Sequence, residues 1–170
     1  MRIAILGNSG GGKSTLARRL ASEQGLPLHE VDRIHWQPGW VLAPEDVYRA
    51  AHERMLAQPS WLIDGLGRLD SIPSRIERAT MLILIDLPLW QHFCLAAERQ
   101  TAWALGKLEH KPAGVEQMPS TKALFETIWT LDREWLPVIR AQLDQARTAG
   151  KDVRSIHSLE ALERFDLGAT

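Results

Sequence analysis

The sequence predicts a three-layer α/β/α fold on a parallel sheet, and three observations carry that expectation. Short apolar runs alternate with amphipathic stretches in βαβα order along all 170 residues. Trp61-Leu62-Ile63 and Met81-Leu82-Ile83-Leu84-Ile85 are apolar without alternation, as strands covered on both faces are. The first run, Arg2 to Leu6, ends in a glycine-rich turn that leads straight into a helical pattern. Strands joined in this way imply right-handed crossovers.

Taken in order, Arg2 to Leu6 is the first strand, and Lys13 to Gln24 places Leu16, Ala17, Leu20 and Ala21 on one helical face before Gly25 stops it. Leu28 to Val31 is a second strand, followed by a loop through Ile34-His35-Trp36-Gln37-Pro38-Gly39-Trp40. Pro44, Glu45 and Asp46 open a helix to about Ala57, because proline and carboxylates suit a first helical turn. Trp61 to Ile63 and Met81 to Ile85 are strands three and four, each ending at an aspartate. Helices are expected over about Ile72 to Ala79, Leu89 to Leu105 and Thr121 to Thr148, with a fifth strand at Asp152 to Ile156. The stretch at about 105–120, with two Gly and two Pro between Gly106 and Pro119, is long enough to predict a lid on a single domain.

Composition excludes several classes. Twenty Lys+Arg against 21 Asp+Glu leave a net charge of -1, so direct nucleic-acid binding is not expected. The lone cysteine, Cys94, closes no internal disulfide and completes no zinc site. No run approaches the roughly 18 apolar residues of a membrane span, and the first run is too short for a signal-peptide core. A cytoplasmic protein without membrane partners is expected.

Gly7-Asn8-Ser9-Gly10-Gly11-Gly12-Lys13-Ser14 fits G-x-x-x-x-G-K-[ST] at every fixed position, between a strand end and a helix start. There, successive backbone N–H groups converge on one concavity, and the helix N-terminus adds positive potential for a polyphosphate. Residues 7–15, with Thr15 the last, are therefore the candidate ATP cradle. Lys13 would reach the terminal phosphates and the Ser14 hydroxyl would ligate Mg2+. The dinucleotide fingerprint G-x-G-x-x-G is not matched, which disfavours nicotinamide binding.

A metal-bound triphosphate also needs a carboxylate from a neighbouring strand, and Asp32, Asp64 and Asp86 each end one at the carboxyl edge of the sheet. Phosphoryl transfer needs positive groups around the moving phosphate, for which Arg68, Arg75, Arg78 and Arg99 are candidates. Arg68 and Arg99 lead, and Arg18 and Arg19 are expected to face solvent. His35, Trp36 and Trp40 crowd the loop after Asp32, where they either wall an acceptor pocket or form a cluster that pins the loop. The remaining histidines show no ligand spacing.

These residues resemble those of the adenylate-kinase-like P-loop proteins known as bacterial topology modulation proteins. The resemblance runs through Ile3 to Gly10 with Gly12 to Ala17, Leu26-Pro27, Val31-Asp32, His35 to Trp40, Trp61 to Gly65, Leu84 to Pro88 and Ile128-Trp129. Asp64-Gly65-Leu66-Gly67-Arg68 is also similar to the Asp-Gly-Phe-Pro-Arg segment of adenylate kinases, where the arginine grips the acceptor's phosphate. The resemblance implies five parallel strands in the order 2-3-1-4-5, ATP binding, a metal-water role for Asp64, and Gly65 and Arg68 on the acceptor side. One departure is the segment after Cys94, arginine-dense in the family, which keeps only Arg99 between Glu98 and Trp103.

The function expected is an ATP-dependent phosphotransferase acting on a nucleotide, a nucleoside or another small hydroxylated metabolite. Lys13, Asp32 and Arg99 would carry the transfer, and Asp32 would orient an acceptor hydroxyl or take its proton. The alternative is an ATP-dependent regulator with little small-molecule turnover.

Overall fold

A computed structural model describes residues 1–108 and 117–168. Five strands form one parallel sheet: β1 (Arg2–Gly7), β2 (Leu28–Glu30), β5 (Trp61–Asp64), β6 (Met81–Ile85) and β7 (Asp152–Ile156), in the order β2-β5-β1-β6-β7. The other two strands, β3 (Trp36–Gln37) and β4 (Val41–Leu42), pair antiparallel as a hairpin where only a loop was expected. Seven strands among the described residues thus replace the five expected, and the order differs from 2-3-1-4-5 in their numbering. With the hairpin set aside, the five sheet strands stand in that sequence along the sheet.

The period-two geometry of β1 divides the core into its two halves. Ala4 and Leu6, with Trp61, Ile63, Leu82 and Leu84, pack against Tyr48 and Leu56 of α3 (Glu45–Leu56), Ile72 and Ile76 of α4 (Ile72–Arg78), and Ile139 and Leu143 of α7 (Leu136–Thr148). Ile3 and Ile5, with Leu62, Ile83 and Ile85, face Leu16, Ala17, Leu20 and Ala21 of α1 (Lys13–Gln24), with Leu159 and Leu162 of α8 (Leu159–Glu163) beside them. The four α1 positions are those the helical spacing singles out.

Register puts the site together. Ile5 lies opposite Asp64, Glu30 opposite Asp64, and Gly7 opposite Ile85, so the loop after β1 and the carboxylate ending β5 share the carboxyl edge of the sheet. Asp32 does not end a strand; it opens a short helix, α2 (Asp32–His35), which turns the chain into the hairpin. Among the described residues no helix is long and apolar enough to cross a membrane.

The helix expected over 121–148 is interrupted. It runs as α6 (Thr121–Thr130), a π-type turn at Leu131–Trp135, and α7. Pro137, in the first turn of α7, has no N–H to give to the preceding turn, which accounts for the irregular ladder just before it. α5 (Leu89–Ala104) packs beside α6 and agrees with the expected helix to its last residue but one. Residues 109–116 of the expected lid lie outside the described residues.

Candidate functional site

The loop Asn8 to Gly12 joins β1 to α1. Gly12 adopts a φ of 79° as the cap of α1, a left-handed conformation that a Cβ would oppose, and its carbonyl receives the Thr15 and Leu16 amides at 3.1 Å. Among the described residues no side chain caps this helix, and its first turn has no acidic residue, so the positive end of the helix dipole faces the loop. Asn8 is fully buried: its Oδ1 accepts the Ser9 amide at 2.7 Å, and its Nδ2 donates to the Ile128 carbonyl of α6 at 2.8 Å. The Lys13 ammonium donates back to the Asn8 carbonyl at 2.7 Å.

The loop forms one wall of a cavity of about 700 Å³. Ser9 through Thr15 line it, together with Asp32, Asp64, Gly65 and Arg99, so most of the expected cradle and three of the expected charged groups converge. Burial pulls the Lys13 ammonium below the usual lysine range; Asp64 and Asp32 oppose that shift and Arg99 adds to it. Arg99 is likewise lowered by burial and supported by Asp32. Asp32 is exposed, on the cavity side of α2.

Asp64 is the carboxylate with the least room. Only 4% of it is exposed, one oxygen has no hydrogen-bond partner among the described residues, and burial pushes its pKa up to about 6 against the opposing influence of Lys13 and the Ser14 hydroxyl. Its folded pKa thus lies above the ordinary 3.8, so the folded state binds a proton more readily than the unfolded chain. The cost of carrying the charge is absent below about pH 4, grows through the window up to about pH 6, and is complete above it. A rise of that size corresponds to about 3 kcal/mol. Asp64→Asn should therefore melt higher than the parent at pH 7.5, with the gain vanishing near pH 4; thermal melts at the two pH values check this.

Such an orphaned buried oxygen beside a serine hydroxyl suits a hard cation. Among the described residues no group of three or more His, Cys, Asp or Glu side chains could hold a metal by itself. A hydroxyl and one carboxylate are the donor set for Mg2+ that takes its other ligands from phosphate and water. The cradle and Asp64 fit Mg·ATP in that sense.

Other candidates stand elsewhere. Arg68, His35 and Trp36 do not line the cavity. The Arg68 guanidinium donates to the Ala43 carbonyl at 2.6 Å and lies 5.2 Å from the centre of the Tyr48 ring. His35 packs edge-on to Trp36 and Tyr48, and Trp36 edge-on to Trp40, in a cluster beside α3. Trp40, at a φ of 61°, donates its indole N–H to the Gln117 carbonyl, tying the hairpin to the residues before α6. Asp86 is paired with Arg140 at 2.6 and 3.0 Å. Arg18 and Arg19, whose side chains are 34% and 38% exposed, also line the cavity, Arg18 paired with Glu30 and Arg19 donating to the Phe165 carbonyl.

Two buried groups, one of them the phosphate candidate Arg75, have roles that the sequence reading does not give them. Arg75 has no exposed surface and donates to the Gly65 and Leu66 carbonyls, fixing the turn after Asp64 from below. His92, also fully buried, meets the Ser9 carbonyl through Nδ1 at 2.9 Å. Both sit on helix faces that packing turns inward, Arg75 with Ile72 and Ile76 on α4 and His92 with Ala96 on α5.

No family model matches the chain, and no curated protein matches its sequence, so the resemblance to topology modulation proteins rests on the quoted residues. Among solved structures, the chain is similar to a gluconokinase from Sinorhizobium meliloti 1021 at 18% identity and a TM-score of 0.45, covering 82% of this chain and 96% of that one. It is also similar to a shikimate kinase from Aquifex aeolicus vf5 at 14% identity and a TM-score of 0.48, covering 96% of this chain and 89% of that one.

Proposed function

We propose that the protein is a Mg·ATP-dependent phosphotransferase acting on a small acceptor, a nucleotide, a nucleoside or another hydroxylated metabolite. The observation that carries the reading is the buried Asp64 carboxylate, with one oxygen unpartnered among the described residues, standing at the wall formed by a complete G-x-x-x-x-G-K-S loop and the start of α1. Such an arrangement has positive potential for a polyphosphate and a donor set for its metal, and the loop lacks the G-x-G-x-x-G pattern of dinucleotide binding.

On this reading residues 7–15 hold the triphosphate through main-chain amides, and Ser14 and Asp64 hold the metal, whose chemistry is to neutralise charge on the phosphate oxygens. Lys13 leaves the Asn8 carbonyl and moves to the terminal phosphates. Arg99, lowered by burial and so poorly hydrated, offers a planar fork to the transferred group. Asp32 orients the acceptor, and where the acceptor is a hydroxyl it takes the proton. Gly65 flanks the acceptor, while Arg68, His35 and Trp36 shape the wall behind Asp32. Excluding water from the cavity matters, because water competes as acceptor.

A second reading, an ATP-dependent regulator, is favoured by Arg99 standing alone between Glu98 and Trp103 where the resembled family is arginine-dense. One experiment separates the two. Calorimetry with Mg·ATP should register binding, and a panel of nucleosides, nucleotides and polyols should contain one that accelerates ADP release. Binding without acceleration by any acceptor favours the regulator, and no heat at millimolar Mg·ATP rejects both.

A further inference from the structure

The phosphate loop has two glycines that its motif does not require. Gly10 and Gly11 occupy variable positions of G-x-x-x-x-G-K-[ST], and both meet α5. A Cβ on Gly10 would lie 2.9 Å from the His92 carbonyl and 3.4 Å from the Ala96 Cβ. One on Gly11 would lie 2.7 Å from the His92 ring carbon Cε1 and 3.1 Å from Nδ1. Contacts under 3 Å leave no room for a side chain, so the glycines admit the helix and its histidine.

The His92 ring does more than fill that space. A backbone carbonyl can only accept, so the 2.9 Å contact with the Ser9 carbonyl requires the proton on Nδ1. Burial lowers the ring's pKa, with the Ser9 hydrogen bond opposing and Lys13 adding to the shift, so the ring is neutral and its Nε2 carries a lone pair. Nε2 is buried and has no hydrogen-bond partner among the described residues. The ring therefore spends its single N–H on the loop.

That contact sits among others with the same target. Asn8, one residue earlier, is held by Ile128 of α6, so the α5–α6 pair grips the loop at two successive residues. α5 also takes Arg99 to the cavity, seven residues or about two turns beyond His92 and so on a similar face.

We propose that His92 is a positioning residue for phosphate binding: its Nδ1–H holds the Ser9 carbonyl away from the cavity and its ring braces Gly11, setting the loop amides in register with Arg99 on the same helix. The proposal rests on the reading of the loop as an ATP cradle. A carbonyl released by His92 would be free to turn toward the phosphates, where an acceptor oxygen repels anions. His92 touches no phosphate; it acts through Ser9 and Gly11.

The test compares His92→Phe, which keeps a ring and loses the donor, with His92→Asn, which keeps an N–H at the same remove from Cβ. Mg·ATP is the probe, followed by calorimetry, with thermal melts as the control for folding. His92→Phe should weaken Mg·ATP binding about tenfold, the upper range for one lost hydrogen bond, and His92→Asn should stay within about threefold of the parent. A purely structural histidine would show the two variants alike in affinity and differing only in melting temperature, and that result overturns the proposal. Gly11→Ala supplies a second arm: it should weaken binding more than tenfold in the parent and by less than threefold in His92→Ala. Equal losses in both backgrounds also overturn it. If the unaltered protein itself binds no Mg·ATP, the proposed function fails first, which sets that outcome apart from a parent that binds and a His92→Phe that binds equally well.

Discussion

Lys13→Ala should lower acceptor-dependent ADP production by at least about a hundredfold, the loss typical for removing one group aimed at developing phosphate charge. Among the described residues the Lys13 hydrogen bond is to the Asn8 carbonyl beside it. Burial already disfavours its charge, so the fold has little to lose when the ammonium goes. The variant should therefore keep its circular dichroism and its melting transition while losing Mg·ATP affinity by calorimetry. Turnover within a factor of three of the parent would remove Lys13, and with it the cradle, from the proposed chemistry.

Arg75→Leu should have the largest effect on stability. The guanidinium is wholly buried, and burial pulls its pKa down to about 10, with Tyr48, Asp64 and Asp32 opposing the shift. Leucine would leave the Gly65 and Leu66 carbonyls without their guanidinium donor and take away one of the positive charges that act on Asp64. Removing one partner of a buried charged network costs about 3 kcal/mol or more, which for a chain of this size lowers the melting temperature by roughly 10 °C. Urea titration gives the free energy directly. A loss below about 1 kcal/mol would mean that the turn after Asp64 holds without Arg75.

These two residues also show what a sequence can and cannot disclose. Lys13 is legible because its motif fixes backbone and side chain together: glycines, strand end and helix start all have to agree. The sheet is legible for the same reason, since Ile3 and Ile5 face one layer and Ala4 and Leu6 the other, as a strand's alternation demands. Arg75 is not, because charge on a helix reads as solvated, and only tertiary packing carries Ile72, Arg75 and Ile76 inward together. His52 follows the same pattern on α3, where burial, with Arg75 and Arg78, lowers its pKa to about 4 and leaves it a neutral ring stacked on Tyr48. The hairpin escaped because strands of two residues are below the length at which alternation can be seen. Arg68 shows the remaining gap: a motif places it in the chain, but the Ala43 carbonyl, 25 residues away, decides where its guanidinium goes.

The π-type turn at Leu131–Trp135 has its own consequence. A single residue accommodated there rotates everything downstream by roughly 100° about the helix axis. Upstream of it, Ile128 addresses Asn8 of the loop; downstream, Leu136, Ile139 and Leu143 address the sheet. The turn is thus a phase shifter that lets one rod serve two clients at different azimuths. Deleting one residue from it would put the rod out of step with one or the other.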